Sequence, residues 1–369
     1  MGTFLLREIF YNNIQQELSS IGFDSAYLSV ISEKFRNKNI KIYNLSAAQA
    51  NIIKQTALTF GADCAVNRNV ITGNIEQSNA ILCGSYSQLK KIAQKLKAQP
   101  FKLSILAEEI LQFLKQEAVK TKLAGILNIT PDSFSDGGLY FNPEDAKRKF
   151  EQLIEDGADI IDIGAESTKP FSKPVDAKEQ IRRLKPVLKT VQGVKISVDT
   201  RSAEVADFAL NNGASMINDV SGLEFDPKMA EVIAQYKAEV IIQHSKGLPE
   251  DIPVYDNVVE EVYSSLRDKV IIAKSAGIEN IIVDPGIGFG KSCADNLKIL
   301  DNISTYFSLS CPVMAGISRK RFLKVEKADN EVKDAMTLAY SYPLIRAGVD
   351  YLRVHNVKLH KTLLNSIPD

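Results

Sequence analysis

Residues able to bind or catalyse recur in this sequence at one kind of place, the ends of short apolar runs. Asn128 stands at the end of the first run, and Asp162 and Glu166 in and just after the second. Asp199 ends the third, Asn218 and Asp219 lie on the fourth, and Gln243 and His244 end the fifth. Asp284 ends the sixth, Ser318-Arg319-Lys320 follow the seventh, and Arg353 and His355 end the eighth. Carboxylates and amides accept hydrogen bonds from N–H donors, whereas the two cationic clusters suit an anion. Burying such groups singly would be costly, so a set drawn from all eight runs predicts one polar-lined pocket. No pairing of nucleophile and base is apparent, so chemistry by binding and electrostatics is expected rather than covalent catalysis.

The runs themselves are Leu123–Ile129, Ile160–Gly164, Lys195–Asp199, Met216–Val220, Val240–His244, Ile281–Asp284, Val313–Ile317 and Tyr351–Val354. Each is short, apolar and bounded by Gly, Pro or Asn, as buried parallel strands are. Helical patterns alternate with them: Pro143–Asp156, Ala177–Thr190, Ala203–Asn211, Pro227–Tyr236, Val258–Ala276, Asp295–Leu300, Val332–Ala347 and Lys358–Leu364. Eight strand–helix units predict a (β/α)8 TIM barrel, in which chemistry collects at the carboxyl ends of the strands. The rival is a doubly wound open sheet. It would use fewer strands, and no G-x-G-x-x-G follows the first one. Two loops exceed the usual two to six residues. Thr130–Asn142 contains Pro131-Asp132-Ser133-Phe134-Ser135-Asp136-Gly137-Gly138, and Ala165–Asp176 contains Glu166-Ser167-Thr168-Lys169-Pro170.

Ahead of the barrel, residues 1–118 read as a small α+β domain of unassigned role, with 119–369 as the barrel. Strands are expected at Ile40–Tyr43 and Ala80–Cys83. Helices are expected at Ala47–Phe60, stopped by Gly61, at Ser87–Leu96 and at Phe101–Val119. Lys90, Lys91, Lys95 and Lys97 form either an anion-binding face or, more simply, a solvated one.

The whole sequence of 369 residues has 45 Lys plus Arg against 45 Asp plus Glu, which argues against a nucleic-acid surface as its main business. No run of 18 apolar residues suggests a membrane span, and Met1–Tyr11 lacks a signal-peptide pattern. A cytoplasmic protein is expected. Cys64, Cys83, Cys293 and Cys311 form no C-x-x-C pair and are read as free thiols.

The segment Gly125-Ile126-Leu127-Asn128-Ile129-Thr130-Pro131-Asp132-Ser133-Phe134-Ser135-Asp136-Gly137-Gly138 resembles the first signature of the dihydropteroate synthase family. Gly157–Gly164 with Glu166-Ser167-Thr168 resembles its second. Ser197–Thr200, Ile217–Val220, Asp284–Lys291, Ser318–Lys320 and Arg353–His355 add further matches, in order, over residues 122–369. The resemblance implies condensation of 6-hydroxymethyl-7,8-dihydropterin pyrophosphate with p-aminobenzoate, with release of pyrophosphate. It also implies a homodimer and a sulfonamide target.

On that resemblance Asp199, Asn218, Asp284, Phe289, Lys320 and Arg353 would bind the pterin. Phe134, Thr168, Pro170 and Ser318 would bind p-aminobenzoate. Arg353, His355 and Asn356 would receive the pyrophosphate, Asn356 also capping the last helix. Asn128 would hold Mg2+ through its carbonyl oxygen, with phosphate and water as the remaining ligands. Asp132, Lys320, Arg353 and His355 would carry the catalysis. The chain departs from the family at Lys169 (Arg), Phe171 (Gly), Asn356 (Asp) and Ser245 (Met). Two other readings remain open here. One is a pterin-dependent methyltransferase, which would not need the Asp132–Gly138 loop. The other is a non-catalytic scaffold, which would not need the polar strand ends.

Overall fold

The computed structural model describes residues 7, 9, 14–115, 120–130, 143–166, 175–189, 193–246 and 252–367. The chain divides into two units, Met1–Glu117 and Ala118–Asp369.

In the first unit, helices α1 (Ile14–Ser20) and α2 (Leu28–Ser32) precede strand β1 (Asn37–Ser46) and helix α3 (Ala47–Thr59). Strands β2 (Asp63–Val66) and β3 (Gln77–Ser85) and helices α4 (Tyr86–Leu96) and α5 (Leu103–Leu114) follow. Among the described residues the sheet has the order β1-β3-β2, with β3 antiparallel to both neighbours. Ser46 and Ser85 start α3 and α4 as capping boxes, each closed by a Gln three residues on. Gly61, at φ +68°, follows the end of α3, and Ala62 N–H donates back to Ala57 O at 3.0 Å. Ile53, Leu82, Leu89, Ile92 and Leu103 belong to a core confined to this unit.

The α+β character agrees with expectation, but several bounds differ. β1 runs over ten residues rather than four, because one of its faces is open to water and Asn and Lys occupy it without an apolar signal. β2, α1 and α2 were not predicted. α5 starts only at Leu103, because Phe101 and Lys102 both hold left-handed φ near +60°. Lys90 pairs with Glu33, and Lys97 with Glu108 at 2.7 Å, so part of the lysine face is ion-paired within the unit.

The second unit alternates strand and helix. β4 (Lys122–Asn128) is followed by α6 (Pro143–Glu155), β5 (Ile160–Gly164) by α7 (Ala177–Leu188), and β6 (Lys195–Asp199) by α8 (Ala203–Asn211). β7 (Met216–Asp219) is followed by α9 (Met229–Gln235), β8 (Glu239–Gln243) by α10 (Val258–Ser275), and β9 (Ile281–Asp284) by α11 (Cys293–Asp301). β10 (Met314–Ala315) is followed by α12 (Asn330–Ala347), and β11 (Tyr351–Val354) by α13 (Val357–Ser366). All pair in parallel in the order β10-β11-β4-β5-β6-β7-β8-β9, and a parallel bridge Val283–Val313 joins the two ends. The result is the eight-stranded barrel that the alternation predicts. β10 is shorter than the Val313–Ile317 run: only Met314 and Ala315 pair with β11, and Val313 meets β9 by that single bridge.

Strand alternation separates two apolar sets. Outward residues such as Leu123, Ile161, Val198, Ile217, Val240, Val283 and Leu352 pack with the helices. Inward residues Ala124, Ile160, Met216, Ile241, Ile282, Met314 and Tyr351 plug the amino end of the barrel. Two residues further along the same inward face stand Ile126, Asp162, Asn218, Gln243, Asp284, Gly316 and Arg353. The apolar plug thus gives way within one pleat to a polar layer, and that step positions the site.

Candidate active site

Arg353, on β11, organises the polar layer. Its Nε donates to Asp162 Oδ2 at 2.6 Å and its Nη2 to Asp199 Oδ2 at 2.9 Å. Asn218 Nδ2 donates to the same Asp162 oxygen at 3.0 Å, which turns the amide so that Oδ1 is presented as an acceptor. One carboxylate from β5 therefore fixes a guanidinium from β11 and an amide from β7. Burial opposes the charge on Arg353, but Asp162 and Asp199 outweigh it and raise its pKa further. Burial pushes the Asp199 carboxyl upward, against the pull of Arg353.

Opposite this clamp, Asp284 ends β9. Its Oδ1 accepts from Gly286 N–H at 2.7 Å. A side chain at Gly316 would lie 3.6 Å from both Asp284 Oδ2 and Lys320 Nζ, and 3.8 Å from Arg353 Cβ. The glycine thus leaves a space faced by the Asp284 carboxylate and the Lys320 ammonium, with the stem of Arg353 beside it. Lys320 Nζ donates to Ile287 O and sits 4.5 Å from the centroid of the Phe289 ring. Burial lowers its pKa to about 8, with Asp284 opposing that shift. Burial likewise raises Asp284, with Lys320 as the chief opposing group.

Beside β11, Ser318 Oγ accepts the His355 backbone N–H at 3.2 Å and lies 2.9 Å from His355 Nδ1. With the hydroxyl donating to Nδ1, the neutral ring carries Nε2–H as a donor. Burial, then Arg319 and Arg353, lowers the His355 pKa to about 3, so the ring is neutral at pH 7. Ser318 is committed to orienting His355, with one acceptor lone pair remaining. Asn356 caps α13: its Oδ1 accepts Leu359 N–H at 3.0 Å, while its Nδ2 donates to Asp334 Oδ2 at 3.0 Å. The cap commits Oδ1 and Asp334 takes one of the two Nδ2 hydrogens, so an anion there would meet the backbone of the helix start and at most one amide N–H. Asp334 also grips Arg319 with two bonds of 2.7 and 2.8 Å.

Across the barrel, a side chain at Gly164 would stand 3.3 Å from Asn128 Oδ1 and 3.9 Å from Asp199 Oδ2. Two oxygens thus face one small space. Among the described residues no cluster of three His, Cys, Asp or Glu side chains could hold a metal by itself.

Asn128, Asp199, Asn218, Asp284, Phe289, Ser318, Lys320, Arg353, His355 and Asn356 all stand at the carboxyl ends of the strands or in the turns that follow. Asp132, Phe134, Thr168 and Pro170 lie outside the described residues, as do Lys169 and Phe171. Asp162 carries more of the geometry than the sequence reading gave it. The signal was its inward position two residues after Ile160. The four cysteines are free thiols.

Residues 124–355 match the family described as pterin binding enzyme. A protein of Haloferax volcanii named probable bifunctional folylpolyglutamate synthase/dihydropteroate synthase is 36% identical over 349 residues. That match covers 86% of this chain and 41% of the relative, so the chain spans about two fifths of the relative's length. The 86% exceeds the share held by residues 118–369 (252 of 369), so the likeness reaches into the amino-terminal unit. The dihydropteroate synthase of Bacillus subtilis is 43% identical over 245 residues, covering 65% of this chain and 85% of that protein. Among solved structures, Xanthomonas albilineans dihydropteroate synthase with 4-aminobenzoic acid superposes with a TM-score of 0.63 at 37% identity. It covers 68% of this chain and 94% of that one. This chain therefore belongs to the family of pterin-binding enzymes, on its dihydropteroate synthase branch.

Proposed function

We propose that the chain is a dihydropteroate synthase, which joins 6-hydroxymethyl-7,8-dihydropterin pyrophosphate to p-aminobenzoate and releases pyrophosphate. The observation that carries this reading is the clamp of Arg353 by Asp162 and Asp199, with Asn218 held on the same oxygen and Asp284 and Lys320 across Gly316. A flat heterocycle with an amino group, a ring N–H and a carbonyl needs such a ring of acceptors with one cation. Asn218 Oδ1 and Asp284 accept from the pterin donors, and Lys320 donates to its carbonyl. Arg353 lies against the ring as a planar group already locked in orientation.

In the reaction, the bond between the pterin methylene carbon and the diphosphate oxygen breaks first, and its electron pair leaves with the oxygen. Arg353 and neutral His355, through Nε2–H, stabilise the departing charge, as does the amino end of α13. Positive charge left on the methylene spreads into the ring, where Asp132 steadies it. The amine of p-aminobenzoate then attacks that carbon and loses a proton to solvent or to pyrophosphate. Phe134, Thr168 and Pro170 hold the benzoate, and Ser318 contributes through its remaining lone pair and by orienting His355.

Mg2+ would neutralise the diphosphate as it departs. Asn128 Oδ1 would hold it, beside the Asp199 carboxylate. Few oxygens from the protein suit an ion that keeps several waters and binds chiefly to phosphates. The same reading includes a homodimer working in the cytoplasm. No helix among the described residues is long and apolar enough to cross a membrane.

The test is pyrophosphate release by the purified chain from the pterin substrate. Release should require p-aminobenzoate and should fall on chelation of Mg2+. An unaltered background rate under all conditions would sink the reading.

A further inference from the structure

Lys291 ends the turn that begins at Asp284, and its ammonium is buried with 5% of the residue exposed. It donates to Gly286 O at 2.8 Å, to Phe289 O at 3.0 Å and to His244 O at 3.3 Å, and lies 2.9 Å from His244 Nδ1. Among the described residues no carboxylate lies within ion-pair distance of it. Burial lowers its pKa to about 7, against the pull of Asp284, so keeping a proton there is costly. An ordinary loop staple could be built more cheaply from an amide.

The turn it fastens has an unusual need of fastening. Gly286, Gly288 and Gly290 all hold positive φ, at +67°, +82° and +57°. Three glycines in seven residues leave the chain many competing conformations. Yet this turn carries Asp284, the Ile287 carbonyl that receives Lys320, and the Phe289 ring beside that same ammonium. Through His244 the lysine ties the turn to the end of β8. Asn296 fastens its other side, where Oδ1 accepts Gly288 N–H at 2.7 Å.

We infer that Lys291 is a positioning residue for the pterin: its ammonium gathers the Gly286, Phe289 and His244 carbonyls so that Asp284 and Phe289 meet Lys320 in a fixed geometry. The inference deepens the function proposed above and rests on it for the identity of the ligand. It assigns Lys291 no contact with substrate.

The experiment compares the full chain with Lys291→Met and His244→Ala, reading 6-hydroxymethylpterin binding by calorimetry and the KM of each substrate. Loss of the buried hydrogen bonds to Gly286, Phe289 and His244 should weaken pterin binding roughly tenfold or more in Lys291→Met. His244→Ala should shift it less, in the same direction. The KM for p-aminobenzoate should stay within about twofold, since that ring is held by other loops. Amide exchange should quicken in residues 284–291 while β4 to β7 stay protected, which a general loss of stability would not produce. Unchanged pterin affinity in both variants overturns the inference, as does a parallel rise in both KM values. If Lys291→Met fails to fold, the His244→Ala affinity and exchange pattern decide in the same way. A parent chain that binds pterin but releases no pyrophosphate would refute the synthase reading and leave the inference to be judged on binding. A parent chain that does not bind pterin refutes both.

Discussion

Asp162 is 1% exposed and serves two partners through one oxygen, Arg353 at 2.6 Å and Asn218 at 3.0 Å. Its removal strands part of a buried cation and frees an amide. Asp162→Ala should cost about 3 kcal/mol, near the low end for broken buried pairs because Asp199 still holds Arg353. Urea unfolding measures this, and a loss under about 1 kcal/mol would contradict the clamp. Lys320 gives a pH dependence. Its pKa is lowered to about 8, so the free enzyme loses this cation as pH rises through about 8. kcat/KM for the pterin substrate should fall over that range. The kcat limb should lie higher, because the bound carbonyl favours the charged form. Lys320→Arg should move the kcat/KM limb upward even if overall activity drops. At Asn356 the departure from the family's Asp has a local cause, since its Nδ2 donates to Asp334 at 3.0 Å. Asn356→Asp keeps the cap but sets two carboxylates together. It should cost about 1 kcal/mol, and Asp334→Asn, which also gives up a bond to Arg319, should cost less beside Asn356→Asp than alone. A double-mutant cycle without coupling would refute the pairing.

At the scale of elements, a strand end delivers a side chain and the turn after it fixes the angle. The turn after β9 passes close to β8: a side chain on Gly286 would meet His244 O at 1.8 Å, and one on Gly290 would meet Lys246 O at 2.0 Å. Gly348, at the end of α12, also has positive φ, but nothing lies within 4 Å of an added Cβ. Gly286→Ala should therefore cost more than about 2 kcal/mol and depress pterin binding, whereas Gly348→Ala should cost about 1 kcal/mol from its backbone alone. Thermal melts of the two variants compare them directly, and equal effects would mean that the turn can back away from β8. The strands of the barrel were legible because each is buried on both faces and reads as an unbroken apolar run. β1 and β2 of the first unit were legible in part or not at all, because half of each faces water or is too short to show alternation.

Over the whole molecule, the apolar cores of the two units contain no residue in common. The Bacillus relative matches only about the share of the chain that the barrel occupies. A chain of residues 118–369 should then fold and release pyrophosphate within about twofold of the full protein. A loss much beyond that would assign the first unit a part in catalysis. The succession of eight apolar runs, each closing on a polar residue, determined the barrel and the end at which chemistry collects, because strand burial and strand alternation are local properties of residue order. It also marked, by their types, the residues that could line a polar pocket. Only the tertiary structure decided the partnerships. Asp162 and Arg353 are 191 positions apart, and no local rule relates them until the barrel closes and brings β5 within reach of β11. Ser318 with His355 and Lys291 with His244 are tertiary pairs of a simpler kind, each across consecutive strands, β10 with β11 and β8 with β9, whose side-by-side packing sets the contact.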